Sequence, residues 1–154
     1  MKPSGIFQLK EPRDLLKKLH HDLVRLRQDT MDQYAAFDFF VTAEHLIDWL
    51  YPKSESERKN LRASSPLLAL CSHIANGSKH FEATARHHGS FSDSEVHHGE
   101  FSNEFNTDFD VSGLLLTLEG EAKRSFGEKA YAHELAERVY EYWAKTLGAE
   151  NETG

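Results

Sequence analysis

Apolar residues recur at helical intervals in four stretches of the chain. The first opens at Pro12, a residue well suited to an initial helical turn, and carries Leu15, Leu19, Leu23 and Leu26 at i, i+4, i+8 and i+11. The spacing predicts a helix over about 12–30. A second pattern, over about 31–51, repeats Ala36, Phe40, Ala43, Ile47 and Leu50, and Tyr51-Pro52 ends it because proline biases its predecessor out of the helical region. The segment KSESERKN that follows reads as a charged linker with room for a short helical turn. Ser65-Pro66 then supplies an N-cap and a first helical position for a helix over 65–77, with Leu67, Leu70, Cys71 and Ile74 inward. The last pattern runs over about 127–147, with Ala132, Ala136, Val139, Trp143 and Leu147 as its core stripe and Gly148 as its stop. Phe126 and Tyr131 are placed to staple its start.

Between the third and fourth patterns the character changes. Residues 82–110 are rich in Ser, Gly, His, Asn and Asp, with Phe91, Phe101, Phe105 and Phe109 spaced along them. A short strand is expected near Ser94–Phe101. Gly113–Leu118 reads as a second strand, Glu119-Gly120-Glu121 as a turn and Lys123–Phe126 as its hairpin partner. No internal repeat is visible. The expectation is a mainly α protein, residues 1–154 as a single domain: a four-helix bundle with a small β-hairpin insertion before the last helix.

Composition narrows the function classes. The chain has 154 residues, 39% of them hydrophobic, which suffices for one packed core. No run approaches the roughly 18 apolar residues that a membrane span requires, and MKPSGIFQLKEP lacks the apolar core of a secretory signal, so a cytoplasmic protein without a membrane partner is expected. Cys71 is the single cysteine; an intramolecular disulfide is excluded, and an inert buried thiol is its expected state. The net charge of −7 argues against non-specific attraction to polyanions. It is unevenly spread, however. Residues 1–62 hold 11 Lys and Arg against 10 Asp and Glu, whereas residues 63–154 hold 7 against 15. An anionic substrate would therefore meet the N-terminal half, where Lys17 and Arg25 are candidate substrate-binding residues. Asp14, Asp22 and Asp29 are interleaved there, so a plain solvated helix face is the competing reading.

The segment CSHIANGSKHF, residues 71–81, carries the strongest candidate chemistry. If the helix runs through Asn76-Gly77, then His73, Asn76 and His80 share a face at i, i+3 and i+7. If it breaks there, His80 sits in the following turn. In both cases an imidazole beside an amide and Lys79 could serve as general acid or base on a phosphodiester, with Lys79 steadying an anionic intermediate. The catalytic candidates are thus His80, Asn76, Lys79 and His73. The competing reading makes Asn76-Gly77 a C-cap, with His80 bonded to the orphan carbonyls of a helix end. On the second helix, Asp38, Thr42, His45 and Trp49 share a stripe, and Glu44 and Asp48 at i, i+4 form a carboxylate pair beside it. His45 is a third candidate substrate-binding residue that could meet His73 or His80 across the bundle; a solvated face is the alternative.

The Asn-x-x-x-His element, Asn76 to His80, in a four-helix layout resembles the HEPN superfamily. Those small helical proteins include many metal-independent endoribonucleases of toxin–antitoxin and phage-defence systems, commonly with active sites formed across a homodimer. The family signature is an Arg, a polar residue and a His four to six residues on. Asn76 matches the polar position and His80 the histidine, while Ala75 stands where the Arg would be and Lys79 would have to substitute for it. A literal Arg13-x6-His20 is a permissive pattern that a chain with this much Arg and His meets by chance. The resemblance implies an RNA-acting protein without a cofactor, either a nuclease or a degenerate binder. A non-catalytic helical interaction module with a protein partner is the alternative, and a His-ligated metal protein the third. For the last, His20-His21, His87-His88 and His97-His98 form doublets, but no HExxH or HxH spacing accompanies them and no metal ligands are assigned.

Overall fold

The computed structural model describes residues 5–79, 90–99 and 111–148. It is mainly helical, with a small antiparallel sheet. The helices are α1 (Pro12–Gln28), α2 (Gln33–Leu50), α3 (Glu55–Ala63), α4 (Pro66–Lys79), α5 (Gly120–Phe126) and α6 (Ala132–Leu147). The strands are β1 (Phe91–His97), β2 (Gly113–Leu118) and β3 (Lys129–Tyr131), in the order β1-β2-β3 with both pairings antiparallel.

The apolar periodicities become one continuous core. Leu15, Leu19, Leu23 and Leu26 of α1 pack with Phe39, Phe40, Ala43 and Ile47 of α2 and with Ala136, Val139 and Trp143 of α6. Leu68, Leu70 and Cys71 add the inner face of α4, and Leu116 and Leu118 that of β2. Asp32 caps α2, accepting from the backbone amides of Tyr34 and Ala35 at 3.0 Å each. Gly148, at φ 70°, ends α6 in the left-handed conformation that glycine adopts most readily. Two polar contacts fix α1 within this core. Asp22 is 1% exposed yet accepts from Lys18 Nζ at 2.7 Å and from Thr42 Oγ1 at 3.3 Å. Arg27 grips Glu137 of α6 with two hydrogen bonds.

Several local expectations are corrected. The charged linker after Pro52 folds as the full helix α3, started by Ser54, whose Oγ accepts from the Glu57 amide at 3.2 Å. Helix α4 does not stop at Asn76-Gly77 but continues to Lys79, so the C-cap reading falls. Glycine inside a helix costs about 1 kcal/mol relative to alanine, and that local penalty is outweighed where Ala75 buries and Asn76 packs beside it. The expected return strand at 123–126 is instead α5, between Gly120 and Gly127, both at positive φ. Its Glu, Ala, Lys and Arg are good helix formers, and buried Ala122 anchors it. The chain therefore returns later, as β3, so the final helix starts at Ala132 rather than Gly127. Phe126 closes α5 beneath the Arg138 guanidinium, 5.5 Å from its ring centre, and is no staple for α6. The first strand lies at 91–97, earlier than expected, and most of the Phe-spaced segment falls outside the described residues.

At the sheet edge, Tyr131 donates its hydroxyl to the Val111 carbonyl at 2.6 Å and its ring lies 5.0 Å from that of His133. Gly113 is required here, since a Cβ would come within 2.8 Å of the Tyr131 ring and 3.2 Å of His133 Cε1. Burial lowers the His133 pKa, against the opposing pull of Glu134 and Glu137. The unfolded chain then takes up this proton more readily than the folded one, so its contribution is intact above the unfolded value of about 6.5 and is lost as pH falls. The urea midpoint is expected to decline from pH 7.5 to 5.5, and to decline less in a His133→Phe variant. Equal slopes for parent and variant would refute this.

Candidate functional site

Helices α2, α3 and α4 enclose a groove of about 580 Å³. Phe37, Val41, Glu44, His45 and Asp48 line it from α2, Lys59 and Arg62 from α3, and Ser72, Ala75 and Asn76 from α4. The periodicities of the two longer helices explain the convergence. On α2, positions 37, 41, 44, 45 and 48 form one stripe, offset from the core stripe; on α4, positions 72, 75 and 76 do the same. The groove is thus apolar at the Phe37–Val41 end and ionic at the Glu44–Asp48 end.

Arg62 organises the ionic end. Its guanidinium donates from Nε to Glu44 Oε1 at 2.7 Å, pairs with the same carboxylate through Nη2, and reaches Asp48 Oδ1 at 3.4 Å. Ser72 donates its hydroxyl to Glu44 Oε1 at 3.2 Å, and the Asn76 amide donates to Ser72 Oγ at 3.5 Å. A chain of contacts therefore links α3, α2 and α4. Asp48 is shared with Arg58, at 3.6 Å, and is about half exposed, whereas the Glu44 side chain is 13% exposed. Glu44 Oε2 is buried with no hydrogen-bond partner. Burial raises the Glu44 pKa, with Asp48 adding to the rise, and this outweighs the lowering by Arg62 and Ser72. Beneath the groove, the Cys71 thiol is fully buried, near the Phe40 carbonyl, and burial pushes its pKa well up, so it is inert as expected.

The sequence candidates separate in space. Asn76 and His45 share the groove, His45 exposed and Asn76 half-buried. His73 does not line it; its Nδ1 hydrogen-bonds Ser90 Oγ beside the start of β1. Lys79 is the last residue of α4, and His80 lies outside the described residues. Lys17 is exposed on α1 and lies outside the groove. Arg25 pairs with Asp38 at 2.8 Å and with Asp22 at 3.5 Å, and the hydrogen bond it donates to Asp38 leads the causes that raise its pKa. The stripe Asp38-Thr42-His45-Trp49 is likewise divided, because Asp38 and Thr42 turn to α1 while His45 lines the groove. Glu44 and Asp48 do form a pair, around a guanidinium. Arg62 and Lys59 were missed because α3 read as a linker; the Ser54-x-x-Glu57 capping signature would have revealed that helix. Among the described residues, no group of three or more His, Cys, Asp or Glu is gathered to hold a metal ion. No helix in them is long and apolar enough to cross a membrane.

A second cavity, of about 390 Å³, lies between the N-terminal half of α2 and the sheet. Gln33, Tyr34, Phe37, Ser94, Val96 and Leu114 are among its walls, so Phe37 borders both cavities. No family model, curated protein or solved structure matches this chain.

The ion pair at the groove yields a test by double-mutant cycle. Arg62→Met strands a largely buried carboxylate and is expected to cost about 2–4 kcal/mol at pH 7. Glu44→Gln keeps an acceptor oxygen in the same shape and leaves Asp48 for Arg62, and is expected to cost less than about 1 kcal/mol because no buried charge is left unpaired. The double variant should resemble Glu44→Gln rather than the sum, measured by urea denaturation. A Glu44→Gln loss as large as that of Arg62→Met would contradict the assignment.

Proposed function

We propose that this is a HEPN-like protein acting on RNA, with the α2–α3–α4 groove as its site. The observation that carries the reading is the company Asn76 keeps. An imidazole (His45), an amide (Asn76), a guanidinium (Arg62) and an ammonium (Lys59) line one groove, contributed by three helices. The resemblance lacked an Arg because Ala75 occupies its place in the chain; Arg62 supplies a guanidinium from a neighbouring helix. In this reading α1, α2, α4 and α6 are the four long helices of the expected bundle.

Each group has a physical role. Lys59 and Arg62 neutralise a phosphodiester, which takes the place of half-exposed Asp48 while Glu44 keeps the guanidinium oriented. His45 is solvent-accessible and exchanges the proton of a ribose hydroxyl, and Asn76 donates to a phosphate or sugar oxygen. His80, four residues beyond Asn76, is the second imidazole that the resemblance implies. The setting implied is a cytoplasmic toxin–antitoxin or phage-defence protein.

Labelled RNA incubated with the purified protein in excess chelator tests this. The parent is expected to bind and shorten the RNA, with the rate down by about a hundredfold or more in His45→Ala or His80→Ala, the scale of lost general acid–base catalysis. Binding without shortening assigns the degenerate, non-catalytic form; neither binding nor shortening by the parent overturns the reading. The same resemblance implies a homodimer. Sedimentation equilibrium is expected to return twice the 17.6 kDa of one chain, and a monomer across all loading concentrations would remove a site shared between subunits.

An interaction module is the second reading, and one observation favours it. Tyr34 is 81% exposed, Phe37 47% and Val96 39%, all three around the second cavity. Exposed large apolar side chains grouped in this way commonly mark a protein contact.

A further inference from the structure

Phe37 holds a particular position in the groove. It stands at the apolar end, eight residues and therefore about 12 Å along α2 from His45. It is also a wall of the second cavity. Tyr34 lies three residues earlier, on the same side of the helix, with a Cβ separation of about 5–6 Å expected for that spacing. Both rings are open to solvent, at 47% and 81%, although burying each would gain far more than exposing it. An aromatic pair left exposed between two cavities suits a ligand with flat faces.

We infer that Phe37 and Tyr34 are stacking platforms for unpaired bases, over which an RNA strand passes from the groove to the second cavity. This rests on the RNA reading above and names the form of RNA taken. The phosphates meet cations at the Lys59–Arg62 end, and the described walls of the second cavity contribute no Lys or Arg. Binding beyond the groove must therefore come from base stacking rather than charge. Stacking tolerates any base but requires that it be unpaired, since a duplex hides both faces of each base. The site accordingly selects single-stranded RNA without reading its sequence. Glu95, on the wall of the second cavity, pairs with Lys129 at 3.5 Å, which softens its repulsion of the passing backbone.

Fluorescence anisotropy with a labelled, unstructured 2′-O-methyl RNA hexanucleotide, which cannot be cut, tests the inference beside a labelled duplex of the same chemistry. The parent should bind the single strand more tightly than the duplex. Phe37→Ala and Tyr34→Ala should each weaken single-strand binding by about tenfold, and Phe37→Trp should retain it. Both side chains are exposed, so circular dichroism should show all variants folded. Variants that bind like the parent, or a parent indifferent to strandedness, would overturn the stacking inference and leave the RNA reading standing. A parent that binds neither RNA would overturn both and leave the aromatic pair as a protein-docking face.

Discussion

Everything distinctive about the groove depends on one ion pair, Arg62 with Glu44. Helix α3 has no fully buried residue of its own, so apolar burial alone holds it weakly. Its guanidinium, fixed by Glu44 and Asp48 of α2, ties it across the open side of the molecule. Ser72 brings α4 into the same contact. Arg58 adds a second tie from α3, to the Tyr51 carbonyl and Asp48, and Leu61 packs against the core, but Arg62 is the α3 residue that reaches Glu44 and through it Ser72 of α4. The arrangement also carries stored electrostatic tension. One carboxylate oxygen takes all the donors while the other is buried without any, and desolvation dominates the titration of the group.

That tension bears on how an acidic protein could meet an anion. A chain with a net charge of −7 does not draw in RNA at long range. At the groove, however, two carboxylates face two cations, with a histidine beside them. Such a balance gives little steering but allows local exchange of one anionic partner for another. Affinity in such a site must come from contacts at short range, which is where the exposed aromatics of α2 become relevant. It also explains why the basic face of α1 is an unpromising alternative: Lys18 and Arg25 are already committed to Asp22, Thr42 and Asp38, which pin α1 to α2.

Helix existence was legible wherever burial follows one strong period. Leu15, Leu19, Leu23 and Leu26, and later Ala136, Val139 and Trp143, repeat at intervals that no strand could bury on one side, and all are buried. Short elements were less legible, for a physical reason. In α3 and α5 the pattern spans nine and seven residues, too few for a period to stand out from charged surroundings. Their signals were local: a serine cap before α3, and good helix formers flanked by glycines in α5. Asn76-Gly77 misled in the opposite sense, because its local preference for ending a helix is worth about 1 kcal/mol and the packing around Ala75 exceeds it.

The sequence by itself determined the mainly helical class, the inward faces of the long helices, the buried thiol and the presence of strand Gly113–Leu118, because each follows from periodicity or composition over many residues. It also singled out Asn76 and His45 as polar residues on otherwise packed helices. Only the tertiary structure decided that these two share a groove, that His73 turns away to Ser90, and that Arg62 joins them from a segment that read as a linker. Neighbours on different helices are chosen by how the helices cross and by which buried charges must find partners. Those are properties of the packed whole, and no local window of the chain contains them.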